Sequence, residues 1–389
     1  MTDDSIRPFQ IDVPQSVLDD LRARLQLTRW PEPAPVDGWQ QGVPLVWLQA
    51  ICRHWASGYD WPQRQALLNR HPQFITTLDG LDIHFIHLRS PHAAAMPLLL
   101  THGWPGSVVE FQQVIGPLTD PTAHGGSAAD AFHLVIPSLP GFGFSAKPAT
   151  TGWGVDRIAA AWAQLMARLG YSRYAAQGGD WGSAVTSALG AHDPAHCLGI
   201  HVTLAMGARP AASAAGSGPG PDEQHALQRA QFYNDWDSGY SKQQATRPQT
   251  LGYALTDSPA GQAAWILEKF WAWADCGDGD LRDPLTVLDR DALLDNLMLY
   301  WVTASAASSA RLYWESFGPG KRKALPVTVP TGVAVYPQEI VPPVRRWMKA
   351  AGFQDIRHWQ TMPRGGHFAA FEQPSLFVDD LRAYFRLLR

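Results

Sequence analysis

The chain has 389 residues, enough for one large α/β domain with additions or for two ordinary domains, and its 46% apolar content fits a well-packed globular protein. A formal net charge of -4 provides no basic field, so nucleic acid and anionic membrane are not expected as partners. The cysteines Cys52, Cys197 and Cys276 lack CxxC spacing, which argues against a metal site or a disulfide framework and for a reducing compartment. No apolar run is long enough for a transmembrane helix, and Met1-Thr-Asp-Asp-Ser-Ile-Arg-Pro8 has no signal-peptide core, so a soluble, cytoplasmic protein is expected.

Residues 1–95 precede the first parallel-strand signal. Within them Val13–Leu25 has helical spacing, with Val13, Leu18, Leu21 and Leu25 on one stripe. Trp30-Pro-Glu-Pro-Ala-Pro35 breaks that pattern and runs extended. Val43–Tyr59 and Trp61–Arg70 predict two more helices. Phe74–Leu78, the turn Asp79-Gly80 and the alternating Leu81–Leu88 predict an antiparallel hairpin. From Pro97 buried strands alternate with helices. Leu98–Thr101 is a strand, followed by a helix reaching Leu118; Phe132–Pro137 is the next strand and leads into the Gly- and Pro-rich loop Ser138–Ser145. A helix over Asp156–Leu169 separates that loop from strands at Ser172–Ala176 and Gly199–Leu204. The alternation predicts a doubly wound, mostly parallel sheet.

Residues 206–325 interrupt this rhythm. Ala211–Gly220 is a low-complexity stretch of small residues, expected to be flexible. Helical segments at Glu223–Tyr233, Pro259–Ala274 and Ala292–Ser308, with no strong strand signal, predict a helical lid. Strands resume at Pro326–Val329, Gly332–Tyr336 and Ile356–Gln360, and Pro374–Leu388 predicts a final helix. The expected division is an N-terminal extension (1–95), a core in two parts (96–205 and 326–389) and the lid (206–325).

The chemistry turns on Gln177-Gly-Gly-Asp-Trp-Gly-Ser183, which joins a strand to a helix. Gly178-x-Asp180-x-Gly182 is the pattern of a nucleophile elbow with aspartate in place of serine. The flanking glycines allow a turn too sharp for a Cβ, which lifts the central side chain above the sheet edge. A carboxylate held there can attack carbon without a base to activate it, and it leaves an alkyl ester that water must cleave. The alternative reading is a Gly-Gly-Asp loop capping the following helix. Three features favour the elbow. His367, in Gly365-Gly-His-Phe-Ala-Ala-Phe-Glu372, is a candidate general base after the last strand. Glu339, in Tyr336-Pro-Gln-Glu-Ile340, follows a strand and is the acid that would orient it; a carboxylate at a helix N-terminus is the competing role, and Asp355 is the fallback acid. His102-Gly-Trp-Pro105 follows the first buried strand, so the backbone N–H groups of Trp104 and Trp181 are candidates for an oxyanion hole. No Gly-x-Ser-x-Gly occurs, which argues against a serine esterase.

Over nearly its full length the chain resembles the epoxide hydrolases of the α/β-hydrolase fold, specifically their microsomal-type branch. The core motifs that carry the resemblance are His102-Gly-Trp-Pro-Gly-Ser107, Gly178-Gly-Asp-Trp-Gly182 and Gly365-Gly-His-Phe368. The branch-specific part is Phe9–Leu88, with Arg29-Trp-Pro31 and Asn69-Arg-His-Pro-Gln-Phe-Ile-Thr-Thr-Leu-Asp-Gly-Leu-Asp-Ile-His-Phe-Ile-His87. Dehalogenases of the same fold lack that extension. No anchor helix like that of the mammalian membrane form is seen. The resemblance implies two lid tyrosines that hold the epoxide oxygen, at Tyr240 and Tyr313; Tyr233, Tyr253 and Tyr300 compete for those places. Chemistry asks for such donors independently, since ring opening releases an alkoxide and a phenol is protonated at neutral pH yet acidic enough to give up its proton. The implied reaction is attack of Asp180 on an epoxide carbon, then hydrolysis of the ester by water that His367 and Glu339 activate. No metal or cofactor is expected. The partners are a small hydrophobic epoxide and water, and a homodimer stays open. Haloalkane dehalogenase and a non-catalytic binding protein of the same fold are the alternatives.

Overall fold

The structure is a computed structural model that describes residues 4–205, 218–279, 282–317 and 325–389. Among these, nine strands form one sheet in the order β1-β2-β3-β5-β4-β6-β7-β8-β9. The edge strand β1 (Arg7–Phe9) pairs antiparallel with β2 (Gln73–Leu78). Between them lie helices α1 (Gln15–Gln26), α2 (Leu45–Ser57) and α3 (Trp61–Leu68). Asp60 caps α3 by accepting the Gln63 N–H, with Pro62 in the first turn. The expected hairpin forms: β2 turns at Asp79-Gly80, both in positive φ, into antiparallel β3 (Leu81–Leu88).

The parallel part begins with β4 (Met96–Thr101) and β5 (Phe132–Pro137), whose Leu98, Leu99, Leu100, Leu134, Val135 and Ile136 are fully buried. Such continuous apolar runs mark strands covered on both faces. The segment after Ser107 is not one helix. Val108–Phe111 forms a 3-10 turn, and α4 spans only Ile115–Thr119, with Gly116 and Pro117 inside it. Helix α5 (Val155–Arg168) buries the stripe Ile158, Ala161, Trp162 and Leu165. It ends at Gly170 in positive φ, where the Tyr171 N–H bonds back to the Met166 carbonyl. Then come β6 (Tyr174–Gly178), α6 (Trp181–His192) and β7 (Cys197–Val202).

Between β7 and the next strand lies the helical lid. Of the stretch Ala211–Gly220 only residues 218–220 fall within the described residues. Helix α7 (Pro221–Phe232) runs through a π-helical turn, Tyr233–Asp237, into α8 (Gly239–Thr246), and α9 (Pro248–Asp257) and α10 (Pro259–Trp273) follow. The helix expected over Ala292–Ser308 is two helices, α11 (Arg290–Val302) and α12 (Ala306–Phe317). The chain reverses between them at Ala304, in positive φ. Helices α1 to α3 brace this block: Arg24 pairs with Asp257, Trp39 stacks on Trp271, and Arg64 and the Tyr59 hydroxyl both bond buried Asp295 of α11.

Pro326–Val329 is not a strand; only Val327 makes an isolated bridge, to Phe353. The sheet resumes with β8 (Thr331–Val335), then α13 (Arg345–Ala350), β9 (Ile356–Thr361), α14 (Ala369–Glu372) and α15 (Pro374–Phe385). Strands β5 to β9 are mutually parallel. Tyr384 of α15 lies so close on β8 that a Cβ at Gly332 would be 2.7 Å from its ring. The fold is thus the mostly parallel doubly wound sheet with a helical lid that the residue pattern predicts. Among the described residues no helix is long and apolar enough to cross a membrane.

Candidate active site

Asp180 sits between β6 and α6 with φ 48° and ψ -128°, a conformation that costs about 1–3 kcal/mol for a residue with a Cβ. Its neighbours enforce it. A Cβ on Gly178 would be 2.1 Å from the Gly182 carbonyl group, and one on Gly182 would be 1.9 Å from the Thr101 oxygen. The elbow is therefore wedged against the end of β4. A Cβ at Gly103 would be 2.3 Å from Asp180 Oδ1, so only glycine lets the loop after β4 close over the carboxylate. The result is a hydrogen bond from the Trp104 N–H to Asp180 Oδ1 at 2.8 Å. The second expected donor, the Trp181 N–H, belongs to the first turn of α6, where amides have no intrahelical acceptor.

His102 holds that loop. Its Nε2 accepts the Leu139 N–H at 3.1 Å, so Nδ1 carries the proton and donates it to the Gly103 carbonyl at 2.9 Å. Burial pulls its pKa down to about 4, and it acts as a neutral brace.

Asp180 Oδ2 lies 3.4 Å from His367 Nε2, and His367 Nδ1 donates to Glu339 Oε1 at 2.6 Å. Glu339 is 0% exposed, and the same oxygen accepts the Ile340 N–H. The three side chains thus lie on one line, from Asp180 through His367 to Glu339. Asp355 is elsewhere, paired with Arg357 on the surface. Burial alone would lower the His367 imidazole, but Glu339 and Asp180 outweigh it and hold it well above its ordinary range. While Asp180 is ionised, His367 is therefore an imidazolium.

The loop bearing His367 is held by a residue that carried no role in the sequence reading. Buried Glu372 accepts the N–H groups of Asp275, Gly366 and Phe368 at 2.7 to 3.0 Å, while the His367 N–H bonds the Trp273 carbonyl. Desolvation pushes the Glu372 carboxyl up to about 7, against those three donors. Its signal was legible in principle: an acid inside the apolar run Phe368-Ala-Ala-Phe-Glu372.

The lid brings Tyr240 and Tyr313 over this line, as expected. Tyr240 stacks flat on Trp104 at 4.8 Å, and Tyr313 stands edge-on to Trp181 at 4.8 Å and to Trp104 at 5.8 Å. The two phenol rings are 5.7 Å apart. Desolvation raises both hydroxyls well above their usual range, so both stay protonated. Tyr233 is more than lid filling, because its hydroxyl lies 3.2 Å from that of Tyr240. Tyr300 instead donates to the Gly106 carbonyl, and Tyr253 is exposed. The Tyr313 hydroxyl faces Tyr240 and Trp181 but makes no hydrogen bond of good geometry among the described residues. Under Tyr240 lies Lys269, 4.8 Å from the ring centre and paired with Asp237 at 2.6 Å. Trp273, which also bonds Asp237, packs against His367 at 5.1 Å. One buried carboxylate therefore ties the π-helical turn to the wall of the site. The arrangement can deliver a carboxylate to an electrophilic carbon, protonate an oxygen leaving group and then activate water.

Known proteins resemble this chain over nearly its full length. A sequence-family model described as epoxide hydrolase N terminus matches residues 6–111, and one described as alpha/beta hydrolase fold matches residues 96–259. A protein of Stigmatella aurantiaca (strain DW4/3-1), assigned without proof as an epoxide hydrolase, is 53% identical over 99% of this chain and 86% of its own length. Epoxide hydrolase 1 of Oryctolagus cuniculus is 37% identical over 98% of this chain and 89% of its own. The crystal structure of juvenile hormone epoxide hydrolase from Bombyx mori superposes with a TM-score of 0.92 at 34% identity, covering 100% of this chain and 96% of that one.

Proposed function

The chain belongs to the epoxide hydrolase family, whose reaction is hydrolysis of epoxides to vicinal diols, and from that premise we propose how its own residues divide the work. Tyr240 and Tyr313 donate to the epoxide oxygen. Asp180 Oδ2 attacks the less hindered ring carbon; a C–O bond forms, the ring C–O bond breaks, and a tyrosine proton passes to the alkoxide. Two donors on one oxygen divide the developing charge. Oδ1 becomes the ester carbonyl oxygen, already on the Trp104 N–H.

Ester formation removes the charge of Asp180. One of the two influences that hold His367 protonated is then gone, and the imidazolium can give its proton to the tyrosinate left by ring opening and serve as base. It deprotonates a water, the hydroxide adds to the ester carbonyl carbon, and the Trp104 and Trp181 N–H groups receive the oxyanion. Collapse breaks the bond from the carboxyl carbon to Oδ2, the expelled alkoxide takes the proton from His367 and leaves as the diol, and the acid left on Asp180 passes its proton to His367, which restores the starting carboxylate and imidazolium. Glu339 orients the imidazole and compensates its charge.

The observation that carries this reading is the double engagement of Asp180, with Oδ1 on the Trp104 amide and Oδ2 facing His367, beneath two rings that pack on Trp104. The aromatic walls of Trp104, Trp181 and Trp273 favour a small hydrophobic epoxide. A dehalogenase would have no use for the tyrosine pair, because halide leaves without a proton. Free, buried Cys52, Cys197 and Cys276 support action in the cytoplasm.

Excess enzyme and styrene oxide, reacted for one turnover in heavy-oxygen water, should give an unlabelled diol and a label in Asp180, read by peptide mass spectrometry. Label in the first diol would mean direct attack by water and would overturn the covalent reading.

A further inference from the structure

Tyr233 opens the π-helical turn of the lid, and Tyr240 follows that turn at the start of α8. Such turns are rare and recur at functional sites. Asp237 anchors this one, through Lys269 at 2.6 Å and the Trp273 indole. The turn leaves the Tyr233 hydroxyl 3.2 Å from that of Tyr240. That contact has no task in the steps given above. A phenol carries one hydrogen and can also accept. When Tyr233 donates to the Tyr240 oxygen, the Tyr240 hydrogen must point elsewhere, and the bound epoxide oxygen is the acceptor at hand. Tyr313, which makes no hydrogen bond of good geometry among the described residues, receives no such direction.

We propose that Tyr233 is a positioning residue for proton delivery: its O–H bonds the Tyr240 oxygen, turns the Tyr240 hydrogen toward the epoxide, and supplies a replacement proton as the ring opens. The proposal rests on the ring-opening step given above. Asp180 Oδ2 bonds the ring carbon, and the electron pair of the broken C–O bond goes to the epoxide oxygen. That oxygen takes the Tyr240 proton, the Tyr240 oxygen takes the Tyr233 proton, and the negative charge comes to rest on Tyr233. Tyr313 donates a hydrogen bond and keeps its proton. The charge is cancelled when the His367 proton returns through Tyr240.

Tyr233 is the better resting place for that charge. It is half-buried, whereas Tyr240 and Tyr313 are buried, so a phenolate at Tyr233 keeps more of its hydration. Desolvation raises the hydroxyls of Tyr233 and Tyr240 alike. Their mutual hydrogen bond adds to the rise at Tyr240 and opposes it at Tyr233, where the Ser241 hydroxyl opposes it as well. A hydrogen bond between two phenols shortens and strengthens once one of them is ionised.

Stopped-flow tryptophan fluorescence with styrene oxide separates alkylation from hydrolysis. Tyr233→Phe keeps the ring and removes the hydroxyl; alkylation should slow about 10- to 100-fold, the effect of one hydrogen bond to a charged group, with hydrolysis little changed. A double-mutant cycle separates proton delivery from packing. Added to Tyr240→Phe, Tyr233→Phe should cost almost nothing more, because Tyr233 acts through the Tyr240 oxygen. In mixtures of light and heavy water the wild-type alkylation rate should curve with deuterium fraction, two protons being in flight, and Tyr233→Phe should give a straight line. Wild-type alkylation in Tyr233→Phe, an equal loss on the Tyr240→Phe background, a straight line in the wild type, or both phases slowing together would overturn the proposal. Tyr240→Phe alone is the control for the underlying mechanism. If it alkylates at the wild-type rate, the tyrosine reading falls and this proposal with it; if it is slow, a normal rate in Tyr233→Phe counts against Tyr233 alone.

Discussion

Replacing Tyr313 by Phe should separate activity from stability. The ring is buried between Trp104 and Trp181, and its edge-on contacts survive the change. Only the hydroxyl is lost, and it faces Tyr240 and Trp181 without a hydrogen bond of good geometry among the described residues. Tyr313→Phe should therefore stay within about 1 kcal/mol of the wild type in stability. The same group is one of two donors to the epoxide oxygen in the proposed mechanism. Its loss should slow ring opening by about 10²- to 10³-fold, or about 2.7–4 kcal/mol of transition-state stabilisation. Ester hydrolysis, whose expelled alkoxide takes its proton from His367, should change little. Tyr240→Phe should be less benign to stability, because it leaves the Tyr233 hydroxyl without its 3.2 Å neighbour. Stopped-flow fluorescence gives the two rates, and urea unfolding gives the stability. Wild-type alkylation in Tyr313→Phe, or a stability loss above about 1 kcal/mol, would refute the reasoning, since the hydroxyl would then have a structural partner and no catalytic role.

His367→Gln should still form the ester and then hydrolyse it about 10²- to 10⁴-fold more slowly, while Glu339→Gln should be milder because the imidazole remains; single-turnover kinetics with mass spectrometry ranks the two. Asp295→Ala should cost about 3 kcal/mol in urea unfolding, because Arg64 and the Tyr59 hydroxyl both lose their buried acceptor. Burial alone would raise the Asp380 carboxyl, but hydrogen bonds from His201 and His358 outweigh it and draw it down to about 2. A depressed carboxylate stabilises the fold above its unfolded pKa, near 3.9, and that contribution fades as pH falls towards 2. Asp380→Asn should therefore flatten the loss of stability between about pH 4 and 2, measured by thermal melts across that range.

The elbow was legible because its physics is written locally: two glycines that no other residue can replace flank the acid. Glu339 and His367 were legible from their places after strands, and the structure puts them on one line with Asp180. Other features depend on contacts that a linear reading does not contain. Strand β1 has three residues, one of them Pro8, and forms only because β2 offers its edge. The break between α11 and α12 rests on Ala304 in a conformation that alanine does not advertise. Helix α9 was missed because its buried positions are few, Gly252 and Leu255. Glu372 looks like a surface acid by type. Its placement inside an apolar run was the available signal, and only the closure of the loop after β9 turns that signal into a site.

The attachment of α1, α2 and α3 to the lid has a consequence for inheritance. Asp295 on α11 has its partners on α2–α3, Asp257 on α9 has its partner on α1, and Trp271 on α10 stacks on a residue ahead of α2. Tyr240 and Tyr313, the rings proposed to meet the epoxide, are carried by the same helical block. Exchanging that block alone between relatives would strand three contacts at once, two of them buried or half-buried and one, Arg24 with Asp257, exposed. A graft that works must carry residues 15–68 with it, so the beginning of the chain and the reaction chamber travel, and diverge, as a single unit.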